Sequence, residues 1–361
     1  MKKEKILIIA ANDLGKSGVP NVIMQIVRNL SEKYTFDILL TRNSDYYKRE
    51  FLSYGGKIFT LNELKPSNKI KYFIWRIFKY KKETKKFLKK ILLANNYLII
   101  HSFKETDSWL YLKQGKKYGV KKRIIHNNRV ISFPKNILKK YIVKNNIRKS
   151  IKNSTKLVSV SQQAGVSFFG KKSFNVILNS FEENKFKFLQ TNPKKMNIVQ
   201  VGTFLPLKNQ IFTIEVLKLI KEKYNDFLCF FIGTIYDKNY YEIFLSKVRK
   251  YNLDNNVKIL NFNANQLEIF KDVAFSFIPS IEEGLSLVAI EAQACGIKVF
   301  ASNTVPKDVD LGNVLFLDLD PKIWAKNFLL SVSKSYTRKK IDTSKFSTKN
   351  FIKKINVIYD D

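Results

Sequence analysis

Two glutamates eight positions apart lie in the segment EEGLSLVAIEAQACG, residues 282–296. Glu283 is followed directly by Gly284, and Glu291 lies in a stretch of helical periodicity that Gly296 closes. The apolar run AFSFIP just before the segment predicts a strand, so the order is strand, loop and helix. Carboxylates accept hydrogen bonds from sugar hydroxyls, and the free amides of a helix N-terminus bind phosphate. The pattern suits a nucleotide sugar, although a capped helix with a solvated glutamate fits it equally well.

Three loops at predicted strand ends hold the other candidate ligand groups. Ser286 is placed to cap the helix, which leaves the amides of Leu285, Ser286 and Leu287 near a bound anion. Lys208, in the loop VGTFLPLKNQ, lies at the entrance of the next predicted helix, where it binds an anion or is simply solvated. Gly18, in ANDLGKSGVP, permits close backbone approach to a ligand or belongs to an ordinary tight turn.

Apolar runs alternate with helix-period segments along the whole chain. Repeated β-α units predict parallel sheets covered by helices on both faces, with ligands outside the carboxyl ends of the strands. The strand candidates are KILIIAA, FDILLT, YLIIHS, KRIIHN, KLVSVS, NIVQVG, FLCFFIG, VKILNF and AFSFIP. The helix candidates are residues 20–30, 107–118, 209–223 and 240–250. The predicted fold class is α/β, with two doubly wound Rossmann-like domains facing a central cleft.

A domain boundary is predicted in the polar, proline-containing stretch 179–195. It separates an N-terminal domain, residues 1–180, from a C-terminal domain, residues 181–344, and a final helix at 345–361 is expected to pack back on the first. The charge balance changes at the same place. Residues 1–180 carry 39 basic and 10 acidic side chains, whereas residues 181–361 carry 26 and 20.

The excess positive charge suggests phosphate-rich partners. The formal net charge is +35, and basic residues are most concentrated in two segments. Residues 65–90 hold eleven basic side chains and one acid, and residues 121–156 hold twelve and none. An anionic bilayer, a lipid-linked diphosphate or nucleic acid would be attracted to such a surface. A coding bias toward lysine at tolerant surface positions is the alternative.

Cysteine usage and hydropathy point to the reducing cytosol. Cys229 and Cys295 each lie in an apolar stretch, which gives neither a metal-ligand spacing nor a disulfide framework. The opening MKKEKILIIAAND has too short an apolar run for a signal peptide and predicts a first strand. No run of 18 apolar residues occurs, so no segment is expected to span a membrane.

The stretch PSIEEGLSLVAIEAQACGIKVFAS resembles the donor-site signature of the family 4 retaining glycosyltransferases of GT-B fold. VGTFLPLKNQ is similar to that family's loop with an Arg-x4-Lys pair, and SVSQQAGVSFFGKKSFNVILNSFEENKF to its interdomain segment. The run HSFKETDSWLYLKQGKKYGVKKRIIHNNR is similar to the acceptor-side region of bacterial exopolysaccharide and capsule transferases.

This resemblance implies roles for particular residues. Glu283 would face the hydroxyls of the donor sugar, and Glu291 would bind the ribose. Lys208 would neutralise the leaving diphosphate, with help from the amides at Gly284 to Leu287 and from the Gly18 loop. One departure is visible, because Thr203 stands where the family has the arginine of its pair, which removes one positive charge.

Two histidines, His101 and His126, lie at predicted strand ends of the first domain. His126 is similar in position to a histidine that the family places near the reacting centre, although IIHNNR departs from the commoner His-Ser-His. Either histidine can equally be a satisfied polar residue that lines the cleft.

The implied reaction is sugar transfer from a nucleotide sugar to a saccharide with retention of anomeric configuration. Lysine and helix amides would stabilise the leaving diphosphate, so no metal or other cofactor is expected. The sequences DVD at 308–310 and DLD at 318–320 mimic a metal motif but are interpreted as turn and surface residues.

The basic segments suggest a peripheral protein on the inner face of the cell membrane with a lipid-linked acceptor. Written as a helix, residues 70–91 place Ile70, Phe73, Ile74, Ile77, Thr84, Leu88 and Ile91 on a packing face. The opposite face would carry Tyr72, Trp75, Lys79, Lys82, Lys86 and Lys90. Aromatic rings among lysines suit an anionic bilayer, and a plain solvated helix is the alternative.

Two other functions remain open from sequence. A nonhydrolysing nucleotide-sugar epimerase shares the GT-B architecture but does not require the E-x7-E signature or a basic acceptor domain. A nucleic-acid-binding protein would explain the charge, yet no recognisable binding motif accompanies it, so nucleic acid is not an expected partner.

Overall fold

Two compact units divide the chain in this computed structural model. Unit 1 comprises Met1–Asn179 with Lys349–Asp361, and unit 2 comprises Ser180–Thr348. The structure describes residues 3–361 except 16–17, 43–45, 65, 67, 69–70, 72–74, 76–78, 194, 262–264 and 334–335.

Unit 1 is built on a seven-stranded parallel sheet with the strand order β3-β2-β1-β4-β5-β6-β7. Its strands are β1 Glu4–Ile9, β2 Tyr34–Leu40, β3 Ile58–Thr60, β4 Tyr97–Ser102, β5 Lys122–Asn127, β6 Lys156–Ser159 and β7 Asn175–Val176. The α-helices that the structure describes before residue 179 are α1 Gly18–Leu30, α2 Lys48–Ser53, α3 Tyr80–Ala94, α4 Ser108–Lys117, α5 Ile137–Asn153 and α6 Gln162–Phe169.

The side chains of β1 alternate between the two faces of this sheet, and both faces are covered. Ile6 and Ile8 pack into one hydrophobic cluster, whereas Leu7 and Ile9 pack into the cluster on the opposite face. Successive side chains of a strand point to opposite faces, so a wholly apolar strand needs a helical layer on each side. The first cluster contains α1, and the second contains residues of α3 and α4.

The last helix of the chain completes unit 1. It spans Thr348–Asp360, here α12, and buries Phe351, Ile355, Ile358 and Tyr359 in the same cluster as β1. These positions recur at three- and four-residue spacing, which places them on one helix face. The unit therefore depends on a segment that follows unit 2 in the chain.

Unit 2 is built on a six-stranded parallel sheet with the order β10-β9-β8-β11-β12-β13. Its strands are β8 Asn197–Val201, β9 Cys229–Ile232, β10 Val257–Leu260, β11 Val273–Ile278, β12 Lys298–Ser302 and β13 Val314–Leu317. Its helices are α7 Gln210–Lys221, α8 Lys238–Lys250, α9 Gln266–Lys271, α10 Leu287–Ala294 and α11 Pro321–Val332.

Aromatic side chains fill much of the core of unit 2. Phe275 and Phe277 of β11 pack on Phe328, and the indole of Trp324 meets Phe277 edge to face with ring centroids 5.3 Å apart. Large rings fill the layer between sheet and helices and hold β11 in place. The predicted α/β class with two doubly wound parallel sheets is confirmed.

One predicted feature of the basic segment 65–90 is wrong. Trp75 is not on an outer face but buried, with its indole nitrogen donating to the Glu83 carboxylate and its ring edge-on to Tyr80. The exposure of Lys79, Lys82, Lys86 and Lys90 and the burial of Thr84, Leu88 and Ile91 agree with the predicted faces. The remaining members of that prediction, Ile70, Tyr72, Phe73, Ile74 and Ile77, lie outside the described residues.

Both cysteines are buried and unbridged. Among the described helices, none combines the length and the apolar character that crossing a membrane requires.

Candidate functional site

The strand order of unit 2 points to one place for a ligand. From β8 the chain moves outward to β9 and β10, then returns to the other side of β8 with β11. In an open parallel sheet, the crevice at such a reversal lies outside the carboxyl ends of the two central strands. The loop after β8 carries Lys208, and the loop after β11 carries Glu283.

The loop after β8 is held by hydrogen bonds to its own backbone. The side-chain amide of Gln210 donates to the backbone carbonyls of Gly202 and Thr203, 3.2 and 3.0 Å away. The side-chain amide of Gln200 donates to the Lys208 carbonyl at 2.7 Å. Asn209 adopts a left-handed conformation at the start of α7, which turns the chain after Lys208. The lysine therefore projects from a fixed turn.

Glycine is required beneath this loop because backbone atoms approach closely. A Cβ at Gly233 would lie 2.1 Å from the Gly202 carbonyl oxygen, which no side chain allows. A Cβ at Gly202 would lie 3.4 Å from the aliphatic stem of Lys208. The lysine stem thus lies across the glycine, and its ammonium group extends beyond it.

Lys208 and Glu283 form an ion pair through Nζ and Oε1. The same carboxylate oxygen accepts a hydrogen bond of 2.9 Å from the Ser280 hydroxyl. The two loops also meet through their backbones, because the Ile281 amide donates to the Leu207 carbonyl at 2.8 Å. The two residues that the sequence placed in one site are therefore in direct contact, with the lysine charge offset by the glutamate.

Three hydroxyl-bearing residues support the Glu283 loop, and the sequence analysis did not single them out. Ser302 and Thr304 each donate to the Ser280 carbonyl at 2.6 Å, and their hydroxyl oxygens lie 2.8 Å apart. Ser280 and Ser302 follow the apolar cores of β11 and β12, in the sequences FIPS and FAS. The occurrence of small hydroxyl residues at the ends of neighbouring strands could have indicated this support from the sequence.

Helix α10 starts directly after the Glu283 loop. Ser286 occupies the N-cap position, but its side chain makes no capping hydrogen bond, so the predicted hydroxyl cap is wrong. The first amides of a helix have no intrahelical acceptor. The amides from Gly284 through Leu285 and Ser286 to Leu287 therefore lie at the positive end of α10 and beside the Glu283 loop.

The end of α10 agrees with the prediction for Gly296. Its φ is +79°, and its amide donates to the Gln293 carbonyl at 2.9 Å. A side chain here would meet Phe188 at 2.9 Å and Arg338 at 3.0 Å, so conformation and space both require glycine.

Glu291 lies within α10 and is partly exposed. Burial, reinforced by the nearby charge of Glu182 and opposed by that of Lys185, raises the pKa of its carboxyl group to about 7. A carboxyl group with such a pKa is present in both protonation states at neutral pH. It can accept hydrogen bonds from hydroxyls when ionised and donate one when protonated.

Thr203 lies in the loop before Lys208, and its hydroxyl lies 3.5 Å from that of Thr234. Threonine carries no charge, so Lys208 is the basic side chain that this loop contributes.

A model of the glycosyl transferases group 1 family matches residues 181–308, the part of the chain with the Lys208 loop and α10. The chain carries a group 1 glycosyltransferase domain. A curated relative, the capsular polysaccharide biosynthesis glycosyltransferase CapH of Staphylococcus aureus, is 29% identical over 266 residues, which cover 70% of this chain and 72% of that protein. The putative glycosyltransferase EpsF of Bacillus subtilis is 23% identical over 351 residues, covering 90% and 86%.

Solved structures share the whole fold of this glycosyltransferase. Anabaena Alr3699/HepE in complex with UDP and glucose superposes with a TM-score of 0.75 at 15% identity, covering 99% of each chain. TarM superposes with a TM-score of 0.75 at 12% identity, covering 100% of this chain and 99% of that one. The fold of this glycosyltransferase is GT-B, as the sequence predicted.

In unit 1 of the glycosyltransferase, His126 and His101 form a buried pair. His101 Nε2 lies 3.2 Å from His126 Nδ1, and His101 Nδ1 lies 2.7 Å from the hydroxyl of Tyr359 in α12. Burial lowers the pKa of His126 to about 3, and burial together with the neighbouring ring lowers the pKa of His101. Both rings are therefore neutral at physiological pH.

The two histidines differ in how their nitrogens are satisfied. Both nitrogens of His101 have partners, whereas Nε2 of His126 has none within the described part of the chain. His101 thus matches the interpretation as a satisfied polar residue. His126 keeps one nitrogen for another partner, which leaves its predicted role near the reacting centre as a proposal.

Gly18 is the first residue of α1, after the loop that follows β1. A Cβ at this position would meet no other described residue within 4 Å. The backbone at the start of α1 is therefore open, and residues 16–17 lie outside the described part of the chain.

The aspartates that mimic a metal motif have structural partners in turns and caps. Asp310 accepts from the Gly312 amide at 2.8 Å, Asp318 from the Asn303 side chain at 2.6 Å, and Asp320 caps α11 through the Lys322 amide at 2.8 Å. Asp310, Asp318 and Asp320 are thus exposed residues of turns and a helix cap.

Proposed function

We propose that this glycosyltransferase moves a sugar from a nucleotide-sugar donor to a saccharide acceptor with retention of anomeric configuration. The observation that carries the proposal is the Lys208–Glu283 pair at the strand reversal of unit 2, beside the N-terminus of α10. A diphosphate needs positive charge and amide donors, a sugar needs carboxylate acceptors, and this place offers both.

When the donor binds, Lys208 would exchange its ionic contact with Glu283 for one with the donor. The diphosphate takes the Lys208 ammonium group and the α10 amides, which frees the Glu283 carboxylate to accept hydrogen bonds from the sugar hydroxyls. Ser280 keeps the carboxylate oriented during this exchange. Glu291 would accept hydrogen bonds from the ribose. From the sequence, we also propose the Gly18 backbone as a donor-binding group and His126 as a catalytic residue.

Charge stabilisation would do most of the catalysis. The bond between the anomeric carbon and the phosphate oxygen breaks, and the acceptor oxygen forms its bond on the same face of the sugar. The acceptor proton passes to the departing phosphate. Lys208 and the α10 amides stabilise the diphosphate as its charge develops, so we propose that no metal ion or other cofactor is required.

The proposed pathway is the synthesis of a bacterial surface polysaccharide, as the name of the capsular relative suggests. The acceptor we propose is a lipid-linked saccharide, reached from the cytoplasmic face of the cell membrane. The uneven charge of the chain supports this proposal, because unit 1 contains both of the segments densest in lysine and arginine.

The donor site is tested by two variants with opposite expectations. Lys208→Ala should weaken the binding of a nucleoside diphosphate about tenfold to a hundredfold, since a charge-assisted hydrogen bond contributes about 1.5–3 kcal/mol. Glu283→Gln should leave this affinity unchanged or increase it, because Lys208 loses its competing anion, while sugar turnover falls at least a hundredfold. Calorimetry and a donor-turnover assay, the latter also in excess EDTA, provide both measurements.

A matched control exists in the same unit. Lys247 pairs with Glu215 away from the site and is exposed to the same extent as Lys208, so Lys247→Ala should bind nucleotide as the wild type does. Wild-type affinity in Lys208→Ala would refute the donor-site assignment. Loss of turnover in EDTA with recovery on adding magnesium would refute the metal-free mechanism.

A further inference from the structure

Helix α5 of unit 1 presents large apolar side chains to solvent along its first two turns. The exposed fractions are 85% for Ile137, 67% for Leu138, 63% for Tyr141 and 48% for Ile142. Phe133, just before the helix, is 37% exposed. Single exposed apolar residues are common on protein surfaces, but a contiguous patch usually marks an interaction site.

These residues lie opposite the face that packs on the unit. Successive helix residues are rotated by about 100°, so Ile137, Leu138, Tyr141 and Ile142 share one side of α5. Ile147 and Ser150 are buried on the other side, where Val143 also contacts the hydrophobic cluster. The apolar patch is therefore not part of the core of unit 1.

Cationic side chains surround the patch. Residues 121–156 contain no acidic residue. Within and before α5, the exposed basic residues are Lys135, Lys139, Lys140, Lys144, Arg148, Lys149 and Lys152. Lys144 folds over the ring of Phe133, with its Nζ 5.6 Å from the ring centroid. Long basic side chains whose stems follow apolar surface keep their charges at the border of the patch.

The second basic segment lies on the same side of unit 1. Two lysines from different helices lie over the ring of Trp109 in α4. The Nζ of Lys81 in α3 is 5.6 Å from the ring centroid, and the Nζ of Lys149 in α5 is 5.5 Å from it. Both helices pack beside α4 over one face of the sheet. The lysines of α3 and α5 therefore form one surface, with the apolar patch at the beginning of α5.

We propose that Phe133, Ile137, Leu138, Tyr141 and Ile142 insert into an anionic lipid bilayer while the lysines of α3 and α5 contact the headgroups. An apolar patch with a border of lysine is complementary to acyl chains beneath a negative headgroup layer. A nucleic acid would use the charge but would bury no isoleucine or leucine. The inference deepens the proposed membrane location, on which it rests, by naming the element that enters the bilayer.

Vesicle binding distinguishes this patch from the general charge of unit 1. Ile137→Ser with Leu138→Ser should reduce partitioning onto phosphatidylglycerol-containing vesicles at least tenfold at physiological salt. The matched control is Ile243→Ser with Leu330→Ser, two residues of unit 2 that are each 52% exposed. This control should bind as the wild type does, and the wild type should bind weakly to phosphatidylcholine vesicles.

Depth of insertion can be measured with a single fluorophore, because both native cysteines are buried and should not be labelled. An environment-sensitive label on Leu138→Cys should shift to the blue and be quenched by spin-labelled acyl chains. Labels on Leu93→Cys of α3 and on Leu330→Cys should remain aqueous, although Leu93 is 65% exposed.

Several outcomes would overturn the inference, and they are separable from failure of the proposed reaction. Quenching at Leu93 instead of Leu138 would assign insertion to α3. A second contrary result is a wild type that forms a dimer and binds no vesicles, while the variant Ile137→Ser with Leu138→Ser is monomeric. That result would assign the patch to contact with a second copy of the chain. Donor turnover with a soluble acceptor reports on the reaction alone and should be unchanged in this variant.

Discussion

In the proposed donor site, Lys208 and Glu283 would bind different parts of the ligand, the lysine the diphosphate and the glutamate the sugar. Paired, they offset each other's charge and hold the loops after β8 and β11 together. In the proposed donor complex, a diphosphate would have to compete with the glutamate for the lysine, so the donor-free site should attract simple phosphate less. The proposed sugar hydroxyls would then meet a carboxylate that Ser280 already orients.

Glu291 should make donor binding depend on pH. Its pKa is about 7, raised by burial and by Glu182 and lowered by Lys185. Ribose hydroxyls donate to the ionised form, so affinity should rise as the pH increases. From pH 6 to pH 8 the ionised fraction grows about tenfold, and the affinity for a nucleotide sugar should increase by up to the same factor. Titration calorimetry at several pH values measures this.

The control for this prediction is Glu291→Gln, which cannot ionise and should bind with little dependence on pH in this range. A nucleotide sugar is the suitable ligand because its phosphates do not titrate between pH 6 and pH 8. An affinity that falls with rising pH in the wild type would mean that the protonated carboxyl group is the binding form.

At the scale of secondary-structure elements, the site of unit 2 depends on loops that parallel strands place at one edge. β8, β11 and β12 are neighbours. Lys208 follows β8, Glu283 follows β11, and the Ser302–Thr304 pair lies at the end of β12. Parallel strands bring their carboxyl ends together, so loops distant in sequence meet there.

The C-terminal helix α12 should contribute measurably to the stability of unit 1. Ile355 is fully buried in the cluster with β1, so Ile355→Ala should lower the free energy of unfolding by about 2–5 kcal/mol. Val357 lies on the exposed side of the same helix, and Val357→Ala should change it by less than about 0.5 kcal/mol. Urea denaturation of both variants measures the difference. Equal effects would show that the helix does not depend on this packing.

At the scale of the whole molecule, the dominant property is the uneven charge. The formal net charge is +35, and most of it lies in the part of the chain that precedes unit 2. Excess charge of one sign keeps a protein soluble but weakens its compact state through self-repulsion.

Salt should therefore stabilise the protein in the absence of ligands. Between about 10 mM and 300 mM sodium chloride, screening should raise the melting temperature by a few degrees. Replacing Lys82, Lys86 and Lys90 by glutamine should raise the low-salt value and reduce the salt effect. Replacing the same three lysines by arginine keeps the charge, so it should change neither the low-salt melting temperature nor the salt effect. A melting temperature that falls with salt would mean that ion pairs outweigh the repulsion.

Several features of the molecule were determined by local sequence. The alternation of apolar runs and helical segments predicts both parallel sheets, and the apolar run AFSFIP with the helical periodicity after it predicts the strand, loop and helix around Glu283 and Glu291. Gly296 was predicted to close that helix, and it does so with a φ of +79°. Periodicity and turn chemistry act over a few residues, so the chain itself records them. Strands β3, β7, β12 and β13 were not predicted. β7 has two residues and β3 has three, which is too short for a periodic signal, whereas β12 and β13 are as long as strands that were predicted.

Other features were decided only by tertiary structure, because they join residues far apart in the chain. The Lys208–Glu283 pair needs β8 beside β11, and the hydrogen bond between His101 and Tyr359 needs α12 packed on unit 1. Trp75 is buried because Glu83 and Tyr80 provide a polar and an aromatic partner, which a helical pattern of lysines and aromatics does not reveal. Side-chain partners depend on which strands and helices become neighbours, and that order is set by packing of the whole core.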